Sequence, residues 1–590
     1  MRVTGEGSEE NPLHLLRASS FLMQTRSRQI RCFDGFTLDL TRGCLLRGAR
    51  EIKLAPKPFE ALKYLVENPG RLISKAELIE TIWPDTAVTD DSLVQCLMEV
   101  RRALGNDAQQ FIKTVPRRGY IFDRPVTSGP TEAIDSVAVL PFVNVSGDLN
   151  AEYLSEGISD HVIDRLSKLP NLRKVIALNS VLRYKGKQAD PQSVGCELGV
   201  RAVLMGRVNR QGDELSITTE LVDVSDHKHL WGEQYHGKAR DLQVLQQEIS
   251  REIAEALRLR LTPGEQQQLA RRDTTNPQAY ELLLKGRFLR NKGGTENLKK
   301  AVEYYLQAVA VDPNYALAHA ELSIRYSSLV AGNILDPKEY VPKAELESRK
   351  ALDLDETLAE AHFAMAGIKL NAWDWTAAER EYTRAIELNP NLAIAHGGYA
   401  CYLSLMGRHQ QAVAEIKRAR ELDPLEPPLN AGVGFVLYLA RRYDEATEAL
   451  SKAIEFDPNY SFTHLTLGRT YAAKGMYAEA IAAYQDAIKL GLNTPSAQIH
   501  LGAAYAQAAE REKTQAILKQ LQTNNGYVSA SELAVLYGSL GERDQAFASL
   551  EQAYAAHNPQ LQYLGVDPAF DSLRSDPRFA NLLRRINLPA

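Results

Sequence analysis

The chain has 590 residues, more than one hydrophobic core supports, and its length predicts about three or four folded units. Apolar residues make up 44% of the chain and charged residues 24%, as in ordinary globular proteins. The net charge of −5 means that any nucleic-acid site must be a local basic patch.

The five cysteines are scattered along the chain and include no C-x-x-C pair. This pattern argues against a disulfide framework and against a zinc site, and it fits a reducing cytoplasm. No apolar run approaches the roughly 18 to 20 residues that a membrane helix needs. We therefore expect a cytoplasmic protein without a membrane partner.

Residues 1–30 lack the apolar segment of a signal peptide and are expected to form a flexible leader. Residues 31–126 begin with short strand-like runs, and three amphipathic helices are predicted to follow. The first runs from about Pro56 to Glu67, the second is capped by Ser74, and the third runs from Asp90 to Leu104. The last segment, "FIKTVPRRGYIF" at 111–122, predicts a β-hairpin with two arginines at its tip.

Helix, helix, long turn, helix and hairpin is the order of a winged helix-turn-helix. The stretches "LAPKPFEALKYLVENPGRLISKAELIETIW", "VTDDSLVQCLMEVRRALG" and "IKTVPRRGYIF" resemble the effector domain of OmpR/PhoB-type transcription regulators. The "TVPRRGY" wing is similar to that of the one-component, CadC/ToxR-like subgroup. The resemblance implies that this domain binds double-stranded promoter DNA, with self-association on tandem half-sites.

The third helix has an apolar stripe formed by Leu93, Leu97, Val100 and Leu104, which is expected to face the core. In a helix-turn-helix the opposite face enters the major groove. Gln95 suits adenine, Glu99 suits cytosine, and Arg102 suits guanine or phosphate. The alternative is an ordinary solvated helix face. The predicted contact residues on this helix are Asp91, Ser92, Gln95, Met98, Glu99 and Arg102.

The first two turns of this helix are acidic, with Asp90, Asp91 and Glu99. From Arg101 to Arg124, in contrast, six basic residues face two acidic ones, a net charge of +4. Affinity is therefore expected to rest on the end of the helix and on the wing, whose tip would reach the minor groove or its phosphates. The residues added to the predicted DNA-binding set are Arg101, Lys113, Arg117, Arg118 and Tyr120.

Residues 127–135 are predicted to be a linker and residues 136–262 an α/β domain, because strands and helices alternate there. This domain is similar to the TolB-N-terminal-like domain, a resemblance that implies a fold and no chemistry. The segment contains no phosphate-binding loop, metal motif or nucleophile–base pair. We therefore expect no enzyme activity, no cofactor and no metal.

Residues 276–560 are repetitive. Equivalent Asp, Asn or Gly positions at 355, 389, 423, 457 and 491 recur every 34 residues, which is the tetratricopeptide period. We expect about eight repeats that stack into a concave solenoid, followed by a capping helix in residues 561–590. The concave face is predicted to bind a protein or peptide, although the same residues would also suit the core between repeats. This weaker set is Phe363, Cys401, Phe435, Tyr438, Leu465 and Arg469.

The sequence thus predicts a multidomain α+β protein, with a winged helix-turn-helix, then an α/β domain, then an all-α solenoid. The expected function is that of a cytoplasmic one-component transcription regulator, in which the middle domain and repeats receive a signal or partner. The alternative is a tetratricopeptide scaffold whose winged helix binds protein, and the acidic residues of the third helix favour it.

Overall fold

A computed structural model of the protein describes residues 30–588, with gaps at 35, 41–42, 48–49, 85, 87, 106–110, 125, 129–133, 149–150, 188, 226–227, 260, 332–333 and 524–527. The predicted leader, apart from residue 30, and much of the predicted linker lie outside the described residues. The chain divides into two compact units, Met1–Ala133 and Ile134–Ala590.

In its described residues, the N-terminal unit combines two antiparallel sheets with three helices. The first sheet has the order β4-β3-β2-β1-β8, and the second has the order β5-β7-β6. The strands are β1 Ile30–Phe33, β2 Phe36–Asp39, β3 Cys44–Arg47, β4 Arg50–Ile52, β5 Leu72–Ile73, β6 Ile112–Val115, β7 Gly119–Phe122 and β8 Thr127–Ser128. The helices are α1 Pro56–Glu67, α2 Lys75–Ile82 and α3 Asp90–Leu104.

These three helices form because each carries a start signal and an apolar stripe. Pro56 occupies the first turn of α1, and Ser74 caps α2 by accepting a hydrogen bond from the Glu77 N–H at 3.1 Å. The stripe of α3 is buried in one core with residues of α1 and the wing strands. The apolar pattern therefore fixes which face of α3 points outwards.

The second unit begins with a domain built on a sheet of mixed direction, in the order β11-β9-β12-β13-β14, with β10 paired to β12. Its strands are β9 Ser136–Val139, β10 Val143–Asn144, β11 Lys174–Val175, β12 Ala202–Gln211, β13 Glu214–Asp223 and β14 Lys228–Lys238. Its helices are α4 Glu152–Ser167, α5 Leu178–Leu182, α6 Pro191–Leu198, α7 Leu242–Ala256 and α8 Pro263–Leu269.

Helical hairpins make up the rest of the second unit, and eight of them lie in the described part of the chain. They are α9 Pro277–Lys292 with α10 Thr295–Val311, α11 Ala316–Ala331 with α12 Pro337–Leu354, α13 Ala359–Asn371 with α14 Trp375–Leu388, α15 Ala393–Leu405 with α16 His409–Leu422, α17 Pro427–Leu439 with α18 Tyr443–Phe456, α19 Ser461–Ala473 with α20 Tyr477–Lys489, α21 Pro495–Gln507 with α22 Arg511–Thr523, and α23 Ala530–Leu540 with α24 Arg543–Ala555.

Small residues let the two helices of a hairpin approach each other. A Cβ atom on Gly468 would lie 2.5 Å from the ring of Tyr484, which is fully buried. Glycine at this position therefore makes the room that the tyrosine fills.

The middle domain is docked onto the hairpins through buried polar contacts. Arg287 of α9 bridges Asp160 of α4, at 2.9 Å, and Glu321 of α11, at 2.8 Å. Further along, the Asn391 side chain donates to the carbonyls of Ser167 and Leu172, at 3.0 and 2.9 Å. Such satisfied buried contacts couple the middle domain to the array.

Residues 559–588 differ from the single capping helix predicted for this part of the chain. Two 3₁₀ helices, Pro559–Tyr563 and Pro568–Leu573, precede one short α-helix, α25 Pro577–Arg585. The side chains of Asp567 and Asp576 each accept a backbone N–H and so start a new element before a proline. We refer to residues 559–588 as the C-terminal segment.

No helix in the described part of the chain is both long enough and apolar enough to cross a membrane.

Candidate nucleic-acid interface

The outward face of α3 presents a row of exposed side chains at helical spacing. The exposed residues in this row are Asp91, Gln95, Met98 and Arg102. Met98 is the apolar member of the set, and it is 54% exposed. Ser92 is half-buried at the margin. Polar and apolar side chains side by side can contact base edges and thymine methyl groups in a major groove.

Val94 also belongs to this face, although it is not among the predicted contact residues. Its side chain is 39% exposed, beside Gln95 and one turn before Met98. The spacing of Asp91, Val94, Gln95 and Met98 is the i, i+3, i+4, i+7 pattern of one helix face. That spacing was the signal that could have identified Val94, whose apolar character suits a thymine methyl group.

Glu99 is not a free acceptor, in contrast to the prediction. Its Oε1 accepts the Ala55 backbone N–H at 3.2 Å, at the start of α1. A carboxylate at a helix N-terminus satisfies a donor that lacks a partner within the helix and interacts favourably with the helix dipole. Glu99 therefore connects α3 to α1, and its predicted contact with cytosine is not supported.

Asp90 is paired as well. Its carboxylate accepts from Lys75 Nζ at 2.6 Å, and this contact raises the pKa of Lys75. Part of the acidic character of the first turn is therefore compensated within the domain.

Arg101 holds the wing against α3 and does not point freely outwards. Its Nη2 donates to the Ile112 carbonyl at 2.7 Å and to the Thr114 hydroxyl at 2.8 Å, and its guanidinium lies 6.0 Å from the centre of the Tyr120 ring. Tyr120 is itself only 4% exposed and belongs to the core. Both residues were predicted to touch DNA; in the structure Arg101 contacts the strands of the wing and Tyr120 packs in the core.

The wing tip is a tight turn with its two arginines exposed. The Arg118 N–H donates to the Val115 carbonyl at 3.0 Å, and Arg117 has a φ of 62°. Proline at the second position and a positive φ at the third are the combination of a type II turn, in which glycine is favoured. An arginine at this position is strained, and such strain is found at functional sites.

Neither tip arginine has an acidic partner among the described residues, and both side chains are exposed. Lys113, further down strand β6, forms an ion pair with Asp123, and this pair lowers the pKa of Asp123. Its charge is therefore partly compensated. The uncompensated positive charge of the hairpin lies at Arg117 and Arg118.

The predicted concave face of the repeats is not an open surface. Cys401 Sγ lies 3.5 Å from the Tyr563 hydroxyl, and the Phe435 ring is 5.8 Å from the Tyr563 ring. Tyr438 donates its hydroxyl to Asp567 at 2.6 Å. The C-terminal segment therefore covers this part of the predicted partner site.

The other three residues of that set are also engaged within the protein. Phe363 packs on Tyr382 with ring centres 6.3 Å apart, Leu465 is buried in a core cluster, and Arg469 contacts His500. For most of these six residues the structure supports the alternative, packing inside the protein.

Replacing Tyr438 by phenylalanine is expected to lower the free energy of unfolding by about 1–2 kcal/mol, because the buried Asp567 carboxylate loses a donor. Denaturant unfolding of the full chain measures the change. Tyr443→Phe is the matched control, since its hydroxyl makes only a 3.5 Å contact with Arg441. Equal losses in the two variants would contradict the anchoring role of Tyr438.

Comparison with known proteins shows which protein families each of the three parts of the chain resembles. Residues 49–122 match the model described as "Transcriptional regulatory protein, C terminal", and residues 133–252 match "HilA/YgeH-like transcriptional regulator, second domain". Tetratricopeptide repeat models match residues 285–315, 400–461, 449–482 and 468–508. The predicted OmpR/PhoB-type resemblance, the repeats and the fold class are confirmed.

Three curated relatives illustrate the similarity. "Transcriptional regulator HilA" of Salmonella typhi is 25% identical over 338 residues, 56% of this chain and 59% of the relative. "Putative adenylate cyclase 3" of Rhizobium meliloti is 36% identical over 233 residues, 39% of each chain. "Transcriptional activator CadC" of Escherichia coli is 32% identical over 83 residues, 14% of this chain and 16% of the relative. The chain thus spans less than two thirds of the length of each relative.

Proposed function

We propose that this protein is a DNA-binding transcription regulator that acts in the cytoplasm. The N-terminal unit would read promoter DNA, and the middle domain with the repeats would receive a signal or a partner. The observation that carries this proposal is the exposed outer face of α3 together with two exposed arginines at the wing tip, one of them in a left-handed conformation.

The contacts between the middle domain and the repeats support a route by which a signal passes from the repeats to the middle domain. Arg287 and Asn391 join the two parts through buried hydrogen bonds. A change in the array would therefore act on the middle domain, which precedes the hairpins in the chain. A peptide partner directed to the covered part of the concave face would have to displace the C-terminal segment.

Self-association on DNA is part of the proposal, by analogy with regulators that bind tandem half-sites. Duplexes with one and with two copies of the recognised site test it. We expect tighter binding per site on the double-site duplex. Independent, equal binding to both sites would refute self-association without affecting DNA recognition.

We propose that the chain acts by binding and not by catalysis. The sequence of the middle domain, residues 136–262, offers no nucleophile–base pair or phosphate-binding loop. The relative named as a putative adenylate cyclase is similar over 39% of its length. Failure of the purified protein to convert ATP would agree with this proposal, whereas cyclic nucleotide formation would contradict it.

The second candidate function is a scaffold whose winged helix binds protein, motivated by the acidic start of α3. In the structure, Asp90 pairs with Lys75, and Glu99 accepts from the Ala55 N–H. These contacts weaken the argument that the acidic residues form a protein-binding surface. A stable protein partner held by residues 31–126, with no DNA fragment enriched by the full chain, would favour the scaffold.

Gln95→Ala is expected to change sequence preference more than overall affinity. A bidentate glutamine–adenine contact discriminates against other bases by about 1–3 kcal/mol, and alanine removes that discrimination at one position. Selection of duplexes from a random pool, followed by sequencing, measures the change. Glu80→Ala, an exposed change on α2, is the control that should leave the preference unaltered. An unchanged preference in Gln95→Ala would refute the assigned contact.

A further inference from the structure

A cavity of about 250 Å³ lies between the last four hairpins and the C-terminal segment. Helices α17 to α21 and α23 contribute to its walls, and residues 568–572 close one side. The cavity therefore lies where the chain's own C-terminal segment meets the array. Its lining residues all belong to the second unit, whereas the predicted DNA contacts belong to the N-terminal unit.

Arg469 is the cation of this cavity. Burial opposes its charge, yet the nearby Asp567 and other acidic groups raise its pKa, although no carboxylate among the described residues hydrogen-bonds to it. Its Nη2 donates to His500 Nε2 at 2.7 Å. The nearest described carboxylate oxygen, Glu532 Oε1, lies 4.0 Å from the same Nη2. Its buried Nε has no hydrogen-bond partner in the described part of the chain. A guanidinium carries five N–H donors, and a buried one is costly unless an anion satisfies it.

The acidic groups around the cavity are directed to other partners. Glu532 accepts from the Ser496 hydroxyl at 2.5 Å, and burial raises the pKa of this carboxyl. Asp567 accepts from Tyr438, and Asp571 forms a two-point ion pair with Arg441, with both contacts at 2.6 Å. None of these carboxylates hydrogen-bonds to Arg469, so the donors of Arg469 other than the one that contacts His500 lack an anionic partner among the described residues.

His500 orients the arginine without competing with it for an anion. Burial, followed by the neighbouring positive charge of Arg469, holds the pKa of His500 well below its ordinary value. The neutral ring can accept a hydrogen bond from Arg469 through Nε2. The guanidinium is thus held in place by a group that carries no charge.

The remaining walls suit a flat ligand of limited size. Four tyrosines and several alanines line the cavity, and the alanines leave the space open. A cavity of about 150 Å³ holds benzene, so this one would hold a molecule of about ten non-hydrogen atoms. The tyrosines are Tyr438, Tyr443, Tyr477 and Tyr484.

We propose that this cavity binds a small aromatic carboxylate, with the carboxylate on Arg469 and the ring between the tyrosines. The ligand would contact both the array and residues 568–572 of the C-terminal segment. The ligand site stands by itself, and only the use of the ligand as the regulator's signal rests on the proposed function.

Titration calorimetry of the full chain with benzoate and with benzamide tests the site. The two probes share a ring and differ in charge, so benzoate is expected to bind about tenfold more tightly, as for one charge-assisted contact of about 1.4 kcal/mol. Arg469→Gln is expected to remove this preference. Arg420→Gln, the same change at an exposed position on α16, should retain it. Equal binding of the two probes, or no binding of benzoate, would overturn the proposal.

Ala503→Leu provides a second variant that keeps Arg469 and fills the cavity. It is expected to abolish benzoate binding while the chain keeps its thermal unfolding midpoint within a few degrees, about the shift that 1 kcal/mol produces. Unaltered benzoate affinity in this variant would place the ligand elsewhere and refute the site. Retained benzoate binding in a protein that binds no DNA would refute the proposed function and leave this site intact.

Discussion

Replacing Arg117 and Arg118 together by alanine is expected to weaken binding of every duplex by about thirtyfold, at about 1 kcal/mol for each lost contact. Both side chains are exposed at the wing tip, so the loss reflects contacts with DNA and not unfolding. Because each phosphate contact contributes about 0.9 to the dependence of log affinity on log salt, the slope should fall by about 2. Fluorescence anisotropy at several salt concentrations measures both quantities.

Arg117→Gly separates the contribution of the Arg117 side chain to DNA binding from the contribution of the backbone conformation to the stability of the wing. Glycine adopts the φ of 62° without the strain of arginine, so the wing should be at least as stable as in the unaltered chain while one charge is lost. Lys63→Ala is the control, because it removes one positive charge from α1, outside the wing. The Lys63 side chain pairs with Glu60 on the same helix. If the double alanine variant and Lys63→Ala bound DNA equally, the role of the wing would be refuted.

Gly119→Ala is expected to destabilise the winged helix by about 3 kcal/mol or more, since backbone strain and a steric clash act together. The φ of Gly119 is 140°, and a Cβ there would meet the Ile73 carbonyl group, 2.8 Å from its carbon, and the Ser74 Cα at 2.9 Å. Glycine therefore permits β7 to pair with β5. Hydrogen exchange of residues 112–122 in the full chain should show lost protection, together with lost DNA affinity.

Gly70→Ala is the matched control for this change. Gly70 has a φ of 73°, and a Cβ there would meet nothing within 4 Å. Only the left-handed conformation is then penalised, at about 1–2 kcal/mol. Similar losses of protection in both variants would show that the close approach of β7 to β5 does not determine the stability of the wing.

Local patterns were sufficient to predict much of the fold. The apolar stripe of Leu93, Leu97, Val100 and Leu104 predicted the buried face of α3, and all four residues are fully or almost fully buried. The repeat period predicted the helical hairpins, since every unit needs the same small and aromatic residues to pack against the next. Periodicity and turn chemistry act within short segments, and a sequence displays them directly.

Contacts between distant residues explain why several predicted site residues are engaged within the protein. Glu99 accepts from Ala55, which is 44 residues away, and Arg101 donates to the wing strand. Helix periodicity shows that such side chains point outwards, but it does not show which other element they meet. Tyr120 illustrates the same limit, because the alternation of a hairpin does not distinguish a core face from a DNA-facing one.

The C-terminal segment differs in its elements from the predicted single helix for a related reason. Its Asp-Pro pairs at 567–568 and 576–577 begin a 3₁₀ helix and an α-helix, respectively, and treating both as part of one helix concealed this division. The segment also reaches far back along the array, since Trp375 donates its indole N–H to the Ile586 carbonyl at 2.9 Å. The curvature of a solenoid decides such contacts, and curvature arises from small rotations that a single repeat does not reveal.

The central claim is that the outer face of α3 and the tip of the wing contact adjacent grooves of one DNA duplex. Sequencing the genomic fragments retained by the full-length protein, beside the Arg117→Ala/Arg118→Ala variant, tests it most directly. We predict a recurrent short motif among the fragments bound by the unaltered protein and its loss from the variant. Retention of the same fragments by both proteins, or no recurrent motif with either, would contradict the account.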